Sequence, residues 1–357
     1  MRIALVGQMV ASSQAFERLG KELLRRGCEI ASFLANGKQY PFSEDEMLFG
    51  VCGSDVLVTG MASSAELAKE ELAAISAAAA AGKPVACYSD TYGTWARPHF
   101  ASVREGVAAL FVINGEEERE ACTAGFKTVV ASGNPVWEDF YFPAVTREEV
   151  RQKLGIADDE TMVLVPFGKD LVVNILHAGG VIEATSRIAR DDSRWFVVIL
   201  GIHPGDKNPL ELYQGLMGAT AVIVRIVPKS EMPSSQVLVG ADLVVESAST
   251  LGIEAAHLRI PVVDYFTEIA LSRMEASSGS RRWGPCELCV AIPIYGGSVD
   301  KLAQVIEDIL NFSDAQPLPS RTTLDLLVRQ EAVYPRPPEK GTAVKIMADT
   351  LERLVGV

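Results

Sequence analysis

The sequence has 357 residues, which suits two domains of roughly 150 to 180 residues each. Hydrophobic residues make up 48% and charged residues 22%, as in folded globular proteins and unlike disordered chains. The net charge of −13 repels phosphate backbones, so nucleic acid is excluded as an expected partner, although helix ends can still bind a small anion.

The chain carries no recognisable export or membrane signal. The opening "MRIALVGQMV" is too short for a signal sequence and has no small-residue cleavage site. The alanine run at 73 to 81 is far below the about 20 residues of a membrane span. Six cysteines, mostly in apolar segments, indicate reduced, buried thiols. We therefore expect a cytoplasmic protein without a membrane span.

The first half alternates strands and helices. Apolar strands are predicted at "RIALVG", "CEIASFL", "SDVLVTG", "KPVACYS", "AALFVIN" and "KTVVASG", with helices at about 13 to 26 and 65 to 81. Several of these strands are continuous apolar runs, typical of strands that helices cover on both faces. This pattern predicts a doubly wound, parallel α/β sheet.

The segment "EDFYFPAVTREEV" interrupts this pattern and predicts a domain boundary. A second α/β series follows with "MVLVPFG", "WFVVILGIHP", "AVIVRIV", "ADLVVES" and "PVVDY". The tail contains two amphipathic helices. The predicted organisation is a first domain at 1–145, a second at 146–320, and C-terminal helices at 321–357 that return to the first domain.

One junction between strand and helix carries the main functional signal. In "ADLVVESASTLGIEAAHLRIPVVDY", residues 241 to 265, small hydroxyl residues lie where an apolar strand gives way to a helix. Ser249 and Thr250 can donate to phosphate oxygens at the helix N-terminus, and Glu254 can accept hydrogen bonds from a ribose diol. Plain N-capping explains the same residues.

This stretch resembles the nucleotide-binding strand, loop and helix of GT-B-fold enzymes. That group includes nucleotide-sugar glycosyltransferases, glycerophosphotransferases and non-hydrolysing UDP-N-acetylglucosamine 2-epimerases. "SDVLVTGMASS", "ALFVINGEEEREACTAGFKTVVASGNPVWEDF", "MVLVPFGKD" and "VVILGIHPGD" resemble further family segments in the expected order. The resemblance implies two Rossmann-like domains facing a cleft, with the C-terminal helix packing back on the N-terminal domain. It also implies phosphate contacts for Ser249 and Thr250, and a ribose contact for Glu254.

Three residues of the second domain are further candidates for phosphate binding. Gly168 and Lys169 follow the first strand of that domain, where Gly168 permits a tight turn and Lys169 can neutralise a diphosphate. His203 ends the next strand and can donate to a phosphate or act as acid or base. Lys169 is equally explained as a surface lysine, and His203 as a structural residue beside Pro204.

The first domain supplies the acceptor-side candidates. Asp90, in "CYSDTYGTW", can act as base toward a sugar hydroxyl, or it can belong to an Asx turn. Arg97 can bind an anionic acceptor or pair with a surface acid. Gln8 and Ser12 can contact the acceptor, with helix capping by Ser12 or Ser13 as the alternative.

These residues predict a nucleotide-sugar-dependent transferase with a small-molecule donor and an unidentified acceptor. An epimerase is the second hypothesis, although Met61 stands where the family resembled here has a catalytic aspartate. A non-catalytic ligand-binding protein is the third. No cofactor is expected, because a G-x-G-x-x-G pattern is missing, and no metal, because Cys286 and Cys289 lack further ligands. The oligomeric state is open, with a homodimer among the options.

Overall fold

The computed structural model describes residues 1–192, 194–203, 205–218, 220–278, 281, 284–310 and 320–356. The chain divides into two compact units. Unit 1 comprises Met1–Phe142 and Pro337–Val357, and unit 2 comprises Pro143–Arg336.

Unit 1 is built on one parallel sheet. Its six strands are β1 Arg2–Gly7, β2 Glu29–Leu34, β3 Val56–Thr59, β4 Val85–Tyr88, β5 Val107–Val112 and β6 Val129–Ala131. Their order across the sheet is β2-β1-β3-β4-β5-β6, and all the pairings are parallel. The order reverses between β1 and β3, which places a ligand-binding edge at the ends of these two strands.

The helices of unit 1 cover both faces of this sheet. They are α1 Val10–Arg25, α2 Glu44–Cys52, α3 Lys69–Ala80, α4 Gly115–Thr123, α5 Glu138–Tyr141 and, at the end of the chain, α14 Thr342–Val355. Two 3₁₀ segments, Thr94–Ala96 and Pro98–Gly106, follow β4. Alternate residues of β1 pack into different clusters, Ala4 and Val6 into one, Ile3 and Leu5 into the other. Strand β1, one of the continuous apolar runs in the sequence, is therefore buried on both sides.

The last helix belongs to unit 1, as predicted. Met347 and Leu351 of α14 are fully buried in the same cluster as Leu5. At its N-terminus, the buried carboxylate of Glu138 accepts hydrogen bonds from the backbone N–H groups of Gly341 and Ala343, both at 2.6 Å. A negative charge at a helix N-terminus is favourable, so Glu138 anchors the returning helix.

Unit 2 is built on a second parallel sheet. Its strands are β7 Thr161–Pro166, β8 Phe196–Gly201, β9 Ile223–Val227, β10 Leu243–Glu246, β11 Val262–Phe266 and β12 Ile292–Tyr295. The order is β12-β11-β10-β7-β8-β9. Numbered from the first strand of the unit, this is the Rossmann order 3-2-1-4-5-6, read from the other edge.

The helices of unit 2 connect these strands. They are α6 Arg147–Leu154, α7 Leu171–Asp192, α8 Ser234–Val237, α9 Thr250–His257, α10 Glu268–Ser278, α11 Gly284–Glu287, α12 Val299–Leu310 and α13 Arg321–Val333. Short 3₁₀ segments occur at Leu210–Met217 and Leu238–Gly240. Thr146 and Glu149 form a capping box at the start of α6, which ends at Gly155 in the left-handed conformation (φ 63°).

The tail differs from the predicted organisation in one helix. We expected both tail helices to return to the first domain, but α13 groups with unit 2. The buried side chain of Gln330 in α13 donates to the carbonyl oxygens of Ile260 and Val290, both at 3.1 Å. These hydrogen bonds tie α13 to the chain segments that lead into β11 and β12.

The cysteines are less buried than the sequence indicated. Cys87 is fully buried, whereas Cys52, Cys122 and Cys289 are exposed, and all six thiols are free. Among the described residues, no helix is both long and apolar enough to cross a membrane.

Candidate functional site

The sheet of unit 2 brings the predicted phosphate-binding residues to one edge. Strand β7 pairs with β10 on one side and with β8 on the other. Lys169 follows β7, His203 follows β8 and Ser249 follows β10, all at the carboxyl ends of neighbouring parallel strands. In a Rossmann order, ligands bind at this edge where the strand order reverses, here between β7 and β10.

The turn between β10 and α9 has a constrained backbone. Ala248 adopts the left-handed conformation (φ 57°), which is uncommon for a residue with a side chain. The Ser249 hydroxyl accepts a hydrogen bond from the Leu251 N–H at 3.3 Å, so Ser249 is the N-cap of α9. Phosphate binding beside this cap depends on Thr250, which is exposed, because the Gly252 N–H already donates to the Ser249 carbonyl at 3.1 Å.

Glu246 supports this turn, and the sequence analysis did not identify it. Its fully buried carboxylate accepts the Ser249 N–H at 2.5 Å. A Cβ placed on Gly252 would lie 2.7 Å from Glu246 Oε1, so the first turn of α9 sits directly on this carboxylate. The sequence signal for Glu246 was an acid directly after the apolar residues "LVV" of a strand. Asp90 is a candidate for the same reason, since it also follows an apolar strand.

Glu254 has an unsatisfied oxygen near the same turn. Its Oε2 atom is enclosed and has no hydrogen-bond partner in the structure, and the same is true of the Ser247 hydroxyl. Burial raises the pKa of Glu254 from its ordinary value of 4.5 to about 8. Buried polar atoms are normally hydrogen-bonded, so a ligand hydroxyl would satisfy the Glu254 carboxylate.

Lys169 and His203 lie side by side. A Cβ placed on Gly205 would be 2.9 Å from Lys169 Cε and 3.2 Å from two atoms of the His203 ring. The Gly205 N–H donates to His203 Nδ1 at 2.8 Å, which leaves Nε2 as the protonated nitrogen of the neutral ring. Burial, helped by the Lys169 charge, lowers the pKa of His203. Near neutral pH the pair therefore offers an ammonium group and an imidazole N–H. Pro204 lies outside the described residues.

Gly168 does not have the predicted role. Its N–H donates to the Asn174 side-chain oxygen at 2.8 Å, and its carbonyl accepts from the Asn174 amide at 3.1 Å. A Cβ at this position would approach only Asn174 Oδ1, at 3.9 Å. The turn therefore does not require glycine, and the Gly168 N–H is already paired. Asn174, on α7, fixes this loop instead.

In unit 1, Asp90 is a buried acid with a cation near it. It follows β4 and is 7% exposed, and the Thr94 hydroxyl donates to its carboxylate at 3.3 Å. Burial raises the pKa of Asp90, while the Arg97 charge and the hydroxyl hydrogen bonds oppose this shift. Arg97 donates to the Met61 carbonyl. Arg97 therefore interacts with a backbone carbonyl and with the charge of a buried acid, and its contact with an anionic acceptor stays a prediction.

Glu71 links two loops at the reversal point of the unit 1 sheet. Its carboxylate accepts the Gln8 N–H at 3.1 Å, after β1, and the Ala62 N–H at 2.7 Å, after β3. The side chain is fully buried, and burial raises the pKa of Glu71 to about 7. Glu71 was not identifiable from the sequence, because acidic residues are common on the exposed faces of amphipathic helices.

Ser12 and Ser13 lie inside α1 and do not cap it. The helix begins at Val10 after Met9, the Ser12 hydroxyl donates to the Met9 carbonyl at 3.1 Å, and Ser13 donates to Gly7 at 3.1 Å. Both serines are buried. The capping alternative is therefore wrong, and the Ser12 hydroxyl is already used within the protein.

No protein-family model matches the sequence, and no curated protein matches it. Solved structures are nevertheless similar in fold. The UDP-GlcNAc 2-epimerase from Neisseria meningitidis, bound to UDP-GlcNAc, has a TM-score of 0.61 and 13% identity over 99% of this chain and 100% of that chain. MurG from Acinetobacter baumannii has a TM-score of 0.61 and 13% identity, with 99% of each chain covered.

A glycosyltransferase from Rickettsia africae has a TM-score of 0.60 and 12% identity over 99% of this chain and 98% of that chain. At these identities the similarity concerns the fold alone. The three proteins are members of the GT-B superfamily, and the two six-stranded parallel sheets flanked by helices match them. The chain therefore has the GT-B fold.

Proposed function

We propose that this protein is a nucleotide-sugar-dependent transferase that binds the nucleoside diphosphate of its donor in unit 2. The observation that carries the proposal is the enclosed, unpaired Oε2 atom of Glu254 in α9, the helix that follows the constrained turn at Ala248. Lys169 and His203 follow neighbouring strands at the same edge of the Rossmann-ordered sheet.

The chemistry of this edge suits a nucleoside diphosphate. The N-terminus of α9 presents the exposed Thr250 and the positive end of the helix dipole, which favour phosphate oxygens. The Lys169 ammonium and the His203 Nε2–H add donors for the second phosphate. Ribose hydroxyls would donate to the Glu254 carboxylate and satisfy its unpaired oxygen.

Uridine diphosphate is the first nucleotide to test. A solved structure of similar fold is bound to UDP-GlcNAc, and this supports the choice without identifying the sugar that the present chain uses. The proposed reaction needs no metal and no organic cofactor.

In the proposed transfer, an acceptor hydroxyl oxygen attacks the anomeric carbon of the donor. The bond between that carbon and the β-phosphate oxygen breaks, and the nucleoside diphosphate leaves. Asp90 takes the hydroxyl proton, and burial raises its pKa, which makes its carboxylate a stronger base. Epimerisation at C2 is the second candidate, because an epimerase is among the proteins of similar fold. Met61 is buried and has no ionisable group, and this disfavours epimerisation at C2.

Thermal unfolding against UDP, CDP, GDP, TDP and their sugars tests the binding step. A nucleotide at a hundred times its dissociation constant should stabilise the protein by about 2.7 kcal/mol. Thr250→Val should reduce this stabilisation. Thr342→Val is the matched control, because Thr342 is the first residue of another helix, α14, and should leave the ligand effect unchanged. The absence of stabilisation by every nucleotide would refute the proposal.

Product analysis then separates the three functions. A transferase should release UDP only with a suitable acceptor, and Asp90→Asn should abolish release while UDP binding is retained. Incorporation of solvent deuterium at C2 of the sugar would instead indicate an epimerase. Nucleotide binding without turnover of any donor and acceptor pair would favour a ligand-binding protein.

A further inference from the structure

Unit 1 contains a cavity that the proposed nucleotide site does not use. It has a volume of about 410 Å³ and lies beside the ends of β1 and β2, next to the first turns of α2 and α3. Cavities of this size bind small molecules. Gln8, Tyr40, Phe42 and Met47 contribute its less exposed lining.

Gln8 is held in one orientation at this cavity. Its backbone N–H donates to Glu71 at 3.1 Å, and its side-chain Nε2 donates to the Lys38 carbonyl at 3.1 Å. The amide is only 8% exposed, and its Oε1 atom has no hydrogen-bond partner. Because Nε2 is already fixed, Gln8 offers the cavity a hydrogen-bond acceptor.

Tyr40 offers the complementary donor. Its hydroxyl is enclosed and has no partner, and its ring packs against Phe42 with the centroids 5.2 Å apart. Burial and the nearby acids Glu71 and Glu70 raise the pKa of Tyr40, so the hydroxyl keeps its proton. Leaving a buried polar group unpaired is unfavourable, and a ligand hydroxyl that pairs with Gln8 or Tyr40 would remove this cost.

The charged residues around the cavity disfavour anions. Two lysines, Lys38 and Lys69, face three glutamates, Glu44, Glu66 and Glu70. This set has a net charge of −1 and gives no excess positive charge for a phosphate or carboxylate. The aromatic and apolar lining favours a ligand that also presents C–H surface.

We propose that this cavity binds a neutral, polyhydroxylated molecule of about monosaccharide size, which donates a hydroxyl hydrogen to Gln8 and accepts one from Tyr40. Identifying this molecule as the acceptor of the transfer rests on the proposed function. Its binding does not, because the cavity is formed within unit 1 alone.

Calorimetric titration with glucose, N-acetylglucosamine and the anion glucuronate, without nucleotide, tests the proposal. The neutral sugars should bind with a dissociation constant of about 1 mM, and glucuronate more weakly. Tyr40→Phe should weaken binding about three- to tenfold through the loss of one hydrogen bond. Tyr92→Phe is the matched control, since the Tyr92 hydroxyl bonds to Glu120 elsewhere in unit 1 and its loss should not change sugar binding.

Two results would overturn the proposal. One is the absence of binding by both neutral sugars at about 20 mM, as expected if the cavity holds only water. The other is sugar binding that neither Tyr40→Phe nor Gln8→Met changes. Stabilisation by UDP, measured in the same variants, should remain at the wild-type value. A loss of sugar binding is thereby distinguished from a failure of the nucleotide proposal.

Discussion

Replacing Glu254 with glutamine should stabilise the free protein and weaken nucleotide binding. The folded state raises the pKa of Glu254 from 4.5 to about 8, so it holds the carboxyl proton more tightly than the unfolded state does. The wild-type protein therefore loses stability as the pH rises from about 4.5 through about 8. Glutamine has nearly the same shape as the protonated side chain and does not ionise, so the variant escapes this loss.

The size of the effect follows from the pKa. A rise in pKa from 4.5 to about 8 means that, above pH 8, burial destabilises the folded protein with ionised Glu254 by about 4 to 5 kcal/mol. The side chain keeps partial exposure, and water reduces this cost. We expect Glu254→Gln to raise the free energy of unfolding by about 2 kcal/mol at pH 8.5, and by less than about 0.5 kcal/mol at pH 5.

Urea unfolding at pH 5 and pH 8.5, with and without UDP, measures both effects. At pH 8.5 UDP should bind the variant at least about tenfold more weakly, because ribose hydroxyls lose a charged acceptor. In the wild type, UDP binding should strengthen as the pH rises, since the ligand favours the ionised carboxylate.

If the wild type and Glu254→Gln differed in free energy of unfolding by the same amount at both pH values, burial would not raise the pKa of Glu254. Equal UDP affinity in the two proteins would remove Glu254 from the nucleotide site. The first result would refute the raised pKa, and the second would refute the ribose contact.

Three further substitutions test other parts of the structure. Lys169→Met should weaken UDP binding about five- to tenfold in titration calorimetry, whereas Lys207→Met, an equal charge change at an exposed residue four positions after His203, should not. Glu138→Ala should lower the free energy of unfolding by about 2 to 3 kcal/mol, through two lost hydrogen bonds at the start of the last helix, whereas the exposed Glu339→Ala should cost less than about 0.5 kcal/mol. Ala248→Gly should raise the melting temperature slightly, because glycine adopts φ 57° without strain; a lower melting temperature would contradict this account.

The alternation of strands and helices was predictable from the sequence, because it follows from local patterns. Continuous apolar runs such as "VLVT" identify strands buried on both faces, and hydroxyl residues at strand ends identify helix starts. Since parallel strands end at a common edge, the placement of Lys169, His203 and Ser249 together followed from the predicted fold.

The hydrogen-bond partners of the individual candidate residues were not predictable from the sequence. Gly168 looked like a free turn residue, but Asn174, on the following helix, occupies its backbone groups. Ser12 looked like a helix cap, but α1 begins two residues earlier and buries it. Hydrogen-bond partners depend on the start of each helix and on how it packs, and local composition leaves both undecided.

The two parallel α/β units and the predicted phosphate-binding edge of the second sheet could be read from the sequence, because periodicity and strand ends are local properties. Which acids are buried at the strand ends of the two sheets depended on tertiary contacts. Glu71 joins the loops after β1 and β3, and Glu246 supports the turn into α9. Both roles require strands and helices that are distant along the chain to meet around one carboxylate, and the pKa of Glu71 responds to that burial.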